Sequence, residues 1–238
     1  MKFSFCEACP LRDAPGPVPA EGTPGGLVII GEAPGREELQ VGQPFVGRSG
    51  RLLKETLELL GDPPVFITNS VLCYPGKEQA PAVQAVRACS QRLWEDLQRG
   101  APRALLLLGN TAVRAVLSSE SRGILSLRGS LIEVPQLGVY SVPTLHPARV
   151  LRDPRAFREF SRDVEKVVRL LSEPPELPSP PEIVPVRSAA QLARLRESFR
   201  EMAEEIPPGM MAQLQEAPCL SHQVSWGSWT LRPRGSTL

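Results

Sequence analysis

The sequence predicts an α/β domain in which a largely parallel β-sheet is covered by helices on both faces. Three short aliphatic runs end at, or just before, a glycine or an asparagine, as is typical of strands buried inside a parallel sheet. They are residues 27–30, 65–69 and 104–108. A helical pattern of apolar residues follows each run. Strands that alternate with helices in this way form parallel sheets whose crossover helices cover both faces.

The first strand leads directly into a turn that contains two glycines, residues 31–35, with the sequence GEAPG. In open α/β sheets, binding sites form at the carboxyl ends of the strands. Leucines at helical spacing then predict a helix over residues 52–60, ended by Gly61. We therefore expect Glu32 and Phe45, on the two sides of the intervening loop, to face one pocket.

The other two strands each end beside a polar residue. The second run ends at Asn69, and an irregular loop leads from it to a helix that we predict over residues 83–97. The third run is followed by Gly109 and Asn110, and Asn110 is a residue type favoured at helix N-caps. We therefore predict that a further helix starts there.

The last part of the domain contains two short apolar segments, residues 131–134 and 139–142. They predict a hairpin or a pair of neighbouring strands. The second segment leads into a loop in which prolines flank His146. A final helix is predicted over residues 154–171.

The composition changes after this helix. Residues 173–187 are rich in proline, which is typical of an extended linker. A capping box that begins at Ser188 predicts one more helix, and no periodicity follows it. We therefore predict a folded domain over residues 1–172, the linker, and a C-terminal helix with a poorly ordered tail over residues 188–238.

Charge and hydropathy narrow the class of protein. The chain of 238 residues has a formal net charge of +1, which neither indicates nor excludes a nucleic-acid partner, because the local distribution of charge matters more. No apolar run approaches the roughly 18 residues of a transmembrane helix, and the start lacks the apolar core of a signal peptide. We therefore expect a cytoplasmic protein, in which the five cysteines are metal ligands or free thiols rather than disulfides.

Four of the cysteines form two pairs. Cys6 and Cys9 form a C-x-x-C motif, and Cys73 and Cys89 are separated by fifteen residues. Four thiolates suit either zinc or a 4Fe–4S cluster. Alternatively, Cys73 and Cys89 are small buried apolar residues, which is the usual environment of a free cysteine. The spacing alone leaves these alternatives open.

Several motifs together resemble the family 4 uracil-DNA glycosylases, the iron–sulfur type of bacteria and archaea. The resemblance covers residues 6–171 in collinear order. It includes the four cysteines and the segments 31–35 (GEAPG), 42–47 (GQPFVG), 68–69 (TN) and 145–148 (LHPA). The resemblance implies a three-layer α/β/α sandwich around a mostly parallel four-stranded sheet. It also implies a structural 4Fe–4S cluster held by Cys6, Cys9, Cys73 and Cys89.

The same resemblance assigns residues that would bind the substrate, because a glycosylase holds a base that has been flipped out of the DNA. Phe45 would stack on the base, and Asn69 would pair with the N3–H and O4 edge of uracil. Ala33 occupies the position where other glycosylase families carry a catalytic acid, so only its main chain can contribute. The residue types also allow Phe45 to be a packing residue and Asn69 to cap a turn.

The resemblance also assigns the catalytic residues. His146 would donate a hydrogen bond to the uracil O2, where charge gathers as the base leaves. Glu32, with Glu38 as a second candidate, would stabilise the cation-like sugar or orient the attacking water. A histidine that only packs in the core is the structural alternative for His146.

The segment after the histidine is basic and would contact DNA. Arg149 and Arg152 could bind phosphates, and Val150 or Leu151 could wedge into the space that the flipped base leaves. A solvent-exposed basic first turn of a helix would look the same in the sequence.

These residues predict a DNA repair enzyme that hydrolyses the N-glycosidic bond of uracil in DNA and leaves an abasic site. Leu72, Tyr74 and Glu78 depart from the basic and polar residues that the family carries near Cys73. This departure favours the alternative, a non-catalytic iron–sulfur module that binds DNA. We also expect a monomer whose tail contacts a replication or repair protein.

Overall fold

The computed structural model describes residues 6–76, 79–117 and 123–173, together with Ser188, Ala193, Arg194 and Glu197. The chain divides into two units, Met1–Leu177 and Pro178–Leu238. The predicted linker, the C-terminal helix and the tail fall almost entirely outside the described residues. Their boundaries, and the contact of the tail with a partner protein, therefore stay predictions.

The first unit is built on one mixed sheet, to which six of the described strands belong. In chain order these strands are β1 (Glu21–Gly22), β2 (Leu27–Gly31), β3 (Val65–Asn69), β4 (Ala104–Leu108), β5 (Ile132–Val134) and β6 (Val139–Thr144). Their order across the sheet is β1-β3-β2-β4-β6-β5. The four inner strands are parallel, and the two edge strands pair antiparallel to their neighbours.

Helices connect and cover these strands. In chain order they are α1 (Arg36–Val41), α2 (Arg48–Glu58), α3 (Val83–Ala88), α4 (Ser90–Gly100), α5 (Gly109–Leu117), α6 (Ile124–Leu127), α7 (Pro147–Arg152) and α8 (Phe157–Arg169). A short 3₁₀ turn, Pro154–Ala156, joins α7 to α8. None of the helices in the described segments is long and apolar enough to cross a membrane.

The core lies on both sides of the central strands, because every residue of β2 and of β4 is buried. A strand that is buried on both faces reads as a continuous aliphatic run, as these two do. Helix α8 shows the complementary pattern, since its buried residues Phe160, Val164 and Val167 recur at helical spacing and form one face. The predicted three-layer α/β fold is confirmed.

The sheet differs from the prediction in one detail, the number of strands. The four predicted parallel strands are present, and the predicted pairing of the two late segments is confirmed as the β5–β6 hairpin. The additional strand β1 has only two residues and no hydrophobic pattern. A Cβ atom at Gly22 would lie 2.2 Å from the carbonyl oxygen of Val65, so glycine permits the close pairing of β1 with β3.

The helices differ from the prediction more than the strands do. The single helix predicted over residues 83–97 is divided at Cys89, whose ψ of −4° departs from helical geometry. Helices α1 and α6 were not predicted. Asn110 does not cap α5 with its side chain, because its Oδ1 accepts a hydrogen bond from the Ile124 N–H at the start of α6 (2.7 Å).

Candidate active site

A cleft of about 750 Å³ lies at the carboxyl ends of β2, β3 and β6. Strand β2 ends there at Gly31, β3 ends at Asn69, and β6 ends at Thr144, two residues before His146. The cleft is lined by seven of the residues predicted to bind substrate, DNA or reacting atoms, which are Glu32, Ala33, Glu38, Phe45, Asn69, His146 and Arg152. Segments far apart in the sequence therefore meet in one cavity.

Phe45 is held in a conformation that phenylalanine rarely adopts, with a φ of 56°. Its main chain packs against α2, where a Cβ atom at Gly50 would lie only 1.8 Å from the Phe45 carbonyl oxygen. Its ring packs over Gly31, since a Cβ atom there would lie 2.6 Å from Phe45 Cζ. The ring centroid is 6.2 Å from that of His146. Two glycines thus fix the ring against the cleft.

Asn69 is the last residue of β3 and is almost fully buried. It lies opposite Gly31 of β2, and a Cβ atom on Gly31 would lie 2.3 Å from Asn69 Oδ1. Among the described residues, Oδ1 has no hydrogen-bond partner. A buried amide oxygen without a donor destabilises the fold, typically by about 1–3 kcal/mol. Asn69 lines the cleft, so this unpartnered oxygen lies at the wall of the cleft.

His146 is the N-cap residue of α7. Its Nδ1 accepts a hydrogen bond from the Ala148 N–H (3.2 Å), which assigns the ring proton of the neutral imidazole to Nε2. Burial, together with the positive charge of Arg152, lowers the pKa of His146 to about 4. The imidazole is therefore neutral at pH 7 and has one N–H to donate.

The two glutamates have different environments. Glu32 Oε2 accepts a hydrogen bond of 2.6 Å from the hydroxyl of Thr111, a buried residue in the first turn of α5. Glu38 accepts hydrogen bonds from the main-chain N–H groups of Gly35 (3.0 Å) and Gly47 (2.9 Å), one on each carboxylate oxygen. Glu38 therefore ties together the two ends of the loop that contains α1.

The basic segment forms α7. Arg149 and Arg152 are both exposed, and Arg152 lines the cleft. Val150 is buried in the core, so its predicted role as an alternative wedge is wrong. Leu151 is 37% exposed and is the apolar side chain of this segment that reaches the surface.

The four paired cysteines line a second, smaller cavity, which we call the cysteine cavity (Cys6, Cys9, Cys73 and Cys89). All four are free thiols. Burial, reinforced by the charges of neighbouring cysteines, raises the pKa of the Cys9 and Cys73 thiols. Within the described part of the chain, no group of three or more His, Cys, Asp or Glu side chains has an arrangement that could hold a metal ion.

Sequence reasoning missed two residues behind the site. Thr111, which bonds Glu32, follows a glycine and an asparagine and has no pattern that marks it. Arg92 is buried behind Asn69 and donates to the main-chain oxygens of Asn69 and Ser70 (2.9 and 3.0 Å). Its signal was visible, because Arg92 and Asp96 lie four residues apart on the helix face that also carries buried leucines.

The fold and the cleft agree with the comparison with protein families. The family model of the uracil DNA glycosylase superfamily matches residues 22–171, which is more than half of the chain. The chain belongs to this superfamily.

Three of the relatives are type-4 uracil-DNA glycosylases. The chain is 36% identical to the type-4 uracil-DNA glycosylase of Pyrobaculum aerophilum over 67% of its own length and 86% of the relative. It is 35% identical to that of Thermotoga maritima, over 62% of this chain and 79% of the relative. It is 34% identical to the type-4 uracil-DNA glycosylase of Archaeoglobus fulgidus, over 60% of this chain and 76% of the relative. The resemblance to family 4 is confirmed.

Proposed function

We propose that this protein removes uracil from DNA by hydrolysing the N-glycosidic bond, which leaves an abasic site. The observation that carries this proposal is the buried Oδ1 of Asn69, which has no partner among the described residues and lies beside the Phe45 ring. A flipped pyrimidine would satisfy both groups at once, since it offers an aromatic face and a hydrogen-bonding edge.

The amide of Asn69 selects uracil by the direction of its hydrogen bonds. Its Oδ1 accepts the uracil N3–H, and its Nδ2 donates to O4. Cytosine carries an acceptor at N3 and a donor at C4, so both contacts would be reversed. Stacking on Phe45 adds about 1–3 kcal/mol without distinguishing the bases.

His146 acts on the base, and Glu32 acts on the sugar, at the two ends of the N-glycosidic bond that breaks. The neutral His146 donates through Nε2–H to the uracil O2, where negative charge develops as the C1′–N1 bond breaks, and such a donor contributes about 2.7–4 kcal/mol. The Glu32 carboxylate, oriented by Thr111, stabilises the positive sugar and orients the water that adds to C1′. Glu38 ties together the two ends of the loop that contains α1, and its predicted catalytic role stays a prediction.

DNA would be held by α7. The exposed guanidinium groups of Arg149 and Arg152 bind phosphates, and Leu151 enters the space vacated by the base. The cytoplasmic location and the monomeric state stay predictions from the sequence.

We also propose that the cysteine cavity holds a 4Fe–4S cluster. The side chains of the described residues are not arranged to hold a metal ion in this structure, so the donor set alone supports this proposal: four free thiols and an apolar lining suit a thiolate-bound cluster. The Leu11 N–H donates to Cys9 Sγ (3.4 Å), a contact of the kind that tunes such clusters. When bound, the cluster supplies a structural crosslink between the N-terminal segment and the loop after β3.

An oligonucleotide assay tests the activity. Protein with its cluster is incubated with single-stranded and duplex DNA carrying one uracil, and abasic sites are cleaved with alkali. We expect cleavage of both. Intact DNA in both cases would contradict the proposed activity and leave the non-catalytic DNA-binding module.

The Asn69→Asp variant tests base selection in the same assay. Its carboxylate has lost the N–H that faces O4, so kcat/KM for uracil should fall by roughly 30- to 150-fold, which corresponds to about 2–3 kcal/mol. The preference for uracil over cytosine should fall with it. An unchanged preference would remove Asn69 from base recognition.

A further inference from the structure

Arg92 is a large side chain that is buried completely inside the domain, being only 2% exposed. Burying a guanidinium is unfavourable unless its N–H groups are paired. Its Nη1 donates to Asp96 Oδ2 (2.8 Å) and to the Thr68 hydroxyl (3.1 Å). Its Nη2 donates to the carbonyl oxygens of Asn69 (2.9 Å) and Ser70 (3.0 Å). Arg92 therefore fixes the main chain of the residue that faces the base.

The third nitrogen of the Arg92 guanidinium, Nε, is buried and has no such partner among the described residues. Arg92 also forms part of the wall of the cysteine cavity, next to Cys73 and Cys89. It lies three residues after Cys89, the N-cap of α4, so the two side chains lie on the same side of the helix. The acceptors in this wall include the sulfur atoms of Cys73 and Cys89.

We propose that Arg92 is a positioning residue that couples the cysteine cavity to base recognition. With the cluster bound, Nε–H would donate to a cluster sulfur, while Nη2 holds the main-chain oxygens of Asn69 and Ser70. A change in the cysteine cavity would therefore shift Asn69, whose side-chain amide recognises uracil. This inference rests on the proposed cluster and goes beyond it, because it gives the cluster site an effect on which base is chosen.

The Arg92→Lys variant tests this coupling, because lysine keeps a positive charge beside Asp96 but loses the planar set of donors. Arg99→Ala is the matched control, since Arg99 also contacts Asp96 (2.8 Å) but extends over the Phe66 ring. Thermal unfolding establishes that each variant is folded. If Arg92→Lys does not fold, Asp96→Asn, which loosens the hold on the guanidinium, takes its place.

Two readouts are compared, the reduction potential of the cluster and the ratio of kcat/KM for uracil over cytosine in DNA. We expect a more negative potential, because N–H donors to sulfur stabilise the reduced cluster. We also expect the ratio of kcat/KM for uracil over cytosine to fall at least tenfold. In Arg99→Ala the potential should be unchanged and the ratio should stay within twofold of wild type.

A folded Arg92→Lys protein in which either readout matches wild type would overturn the coupling. Iron analysis of the wild type separates this failure from that of the cofactor. Wild-type protein without iron overturns the cluster and the coupling together, whereas iron-loaded protein with an unaffected variant overturns the coupling alone.

Discussion

At the scale of single residues, the site depends on side chains whose polar atoms are oriented before any substrate binds. The Ala148 N–H sets the tautomer of His146, and the Thr111 hydroxyl fixes one oxygen of Glu32. Oriented donors and acceptors of this kind act without reorganisation when charge develops, which is why they contribute strongly to catalysis. That Glu32, Phe45, Asn69 and His146 line one cleft could be predicted from the sequence, but the orientation of their polar atoms could not.

Thr111→Val should lower kcat for uracil excision about tenfold or more with little change in KM. The variant removes a hydrogen bond to a charged group, worth about 1.5–3 kcal/mol, and keeps the shape of the side chain. Thr111→Ser is the matched control, because it keeps the hydroxyl and should stay close to wild type. Equal losses of kcat in the two variants would show that Thr111 acts only through packing.

His146 should titrate near pH 4 in the folded protein, which an NMR titration of its imidazole signals measures against the His146→Asn variant. Because the folded-state pKa lies below the ordinary value of 6.5, the unfolded chain binds more protons between these pH values. The free energy of unfolding therefore falls as the pH falls from 6.5 to 4. This dependence should be weaker in His146→Asn, and a folded-state pKa near 6.5 would contradict the neutral donor.

At the scale of elements, the sequence determines the strands better than their connections. The aliphatic runs of β2, β3 and β4 could be predicted because burial on both faces requires continuous apolar residues. Helix α1 could not, since none of its residues is buried and its Glu38 side chain accepts hydrogen bonds from Gly35 and Gly47 at the two ends of the surrounding loop. The division of the helix at Cys89 was equally hidden, because no glycine or proline interrupts residues 83–97.

The contact between α2 and the Phe45 loop should be sensitive to a single methyl group. In Gly50→Ala, the new Cβ would lie 1.8 Å from the Phe45 carbonyl oxygen, so the loop must move. We expect a loss of about 1–3 kcal/mol in the free energy of unfolding, as for overpacked cores, and a clear loss of uracil excision.

Gly123→Ala is the control for this variant. No atom of the described residues lies within 4 Å of a Cβ atom built at Gly123, and its φ is −76°. Denaturant unfolding and the oligonucleotide assay should both give values close to wild type. If Gly50→Ala behaved in the same way, the tight packing of the loop on α2 would be refuted.

At the scale of the whole molecule, the same helix, α4, contacts both the cleft end of β3 and the cysteine cavity. Helix α4 carries Arg92, which holds the end of β3, and its N-cap residue Cys89 lines the cysteine cavity. The sequence predicted the four cysteines as one set through the family resemblance, while their spacing left zinc, a cluster and simple burial open. The spacing of Arg92 from Asp96 marked the arginine in the sequence, but its position between the two sites could be found only from the fold.

Cys73→Ser should give a colourless protein, whereas the wild type should be brown when purified without oxygen. Because binding at a structural metal site stabilises the folded state, we expect the Tm to fall by roughly 5–10 °C, corresponding to about 3 kcal/mol. Cys219→Ser, at the fifth cysteine of the chain, should keep both the colour and the Tm. A brown Cys73→Ser protein, or a colourless wild type that holds zinc, would contradict the assignment.

The convergence of Glu32, Phe45, Asn69 and His146 on one flipped base is tested most directly by a crystal structure with DNA that contains a deoxyuridine bearing fluorine at C2′, which resists hydrolysis. We expect the uracil ring stacked on Phe45, with its N3 about 2.7–3.2 Å from Asn69 Oδ1 and its O2 at the same distance from His146 Nε2. A uracil that is bound elsewhere, or that remains stacked in the DNA while the cleft is empty, would contradict this account.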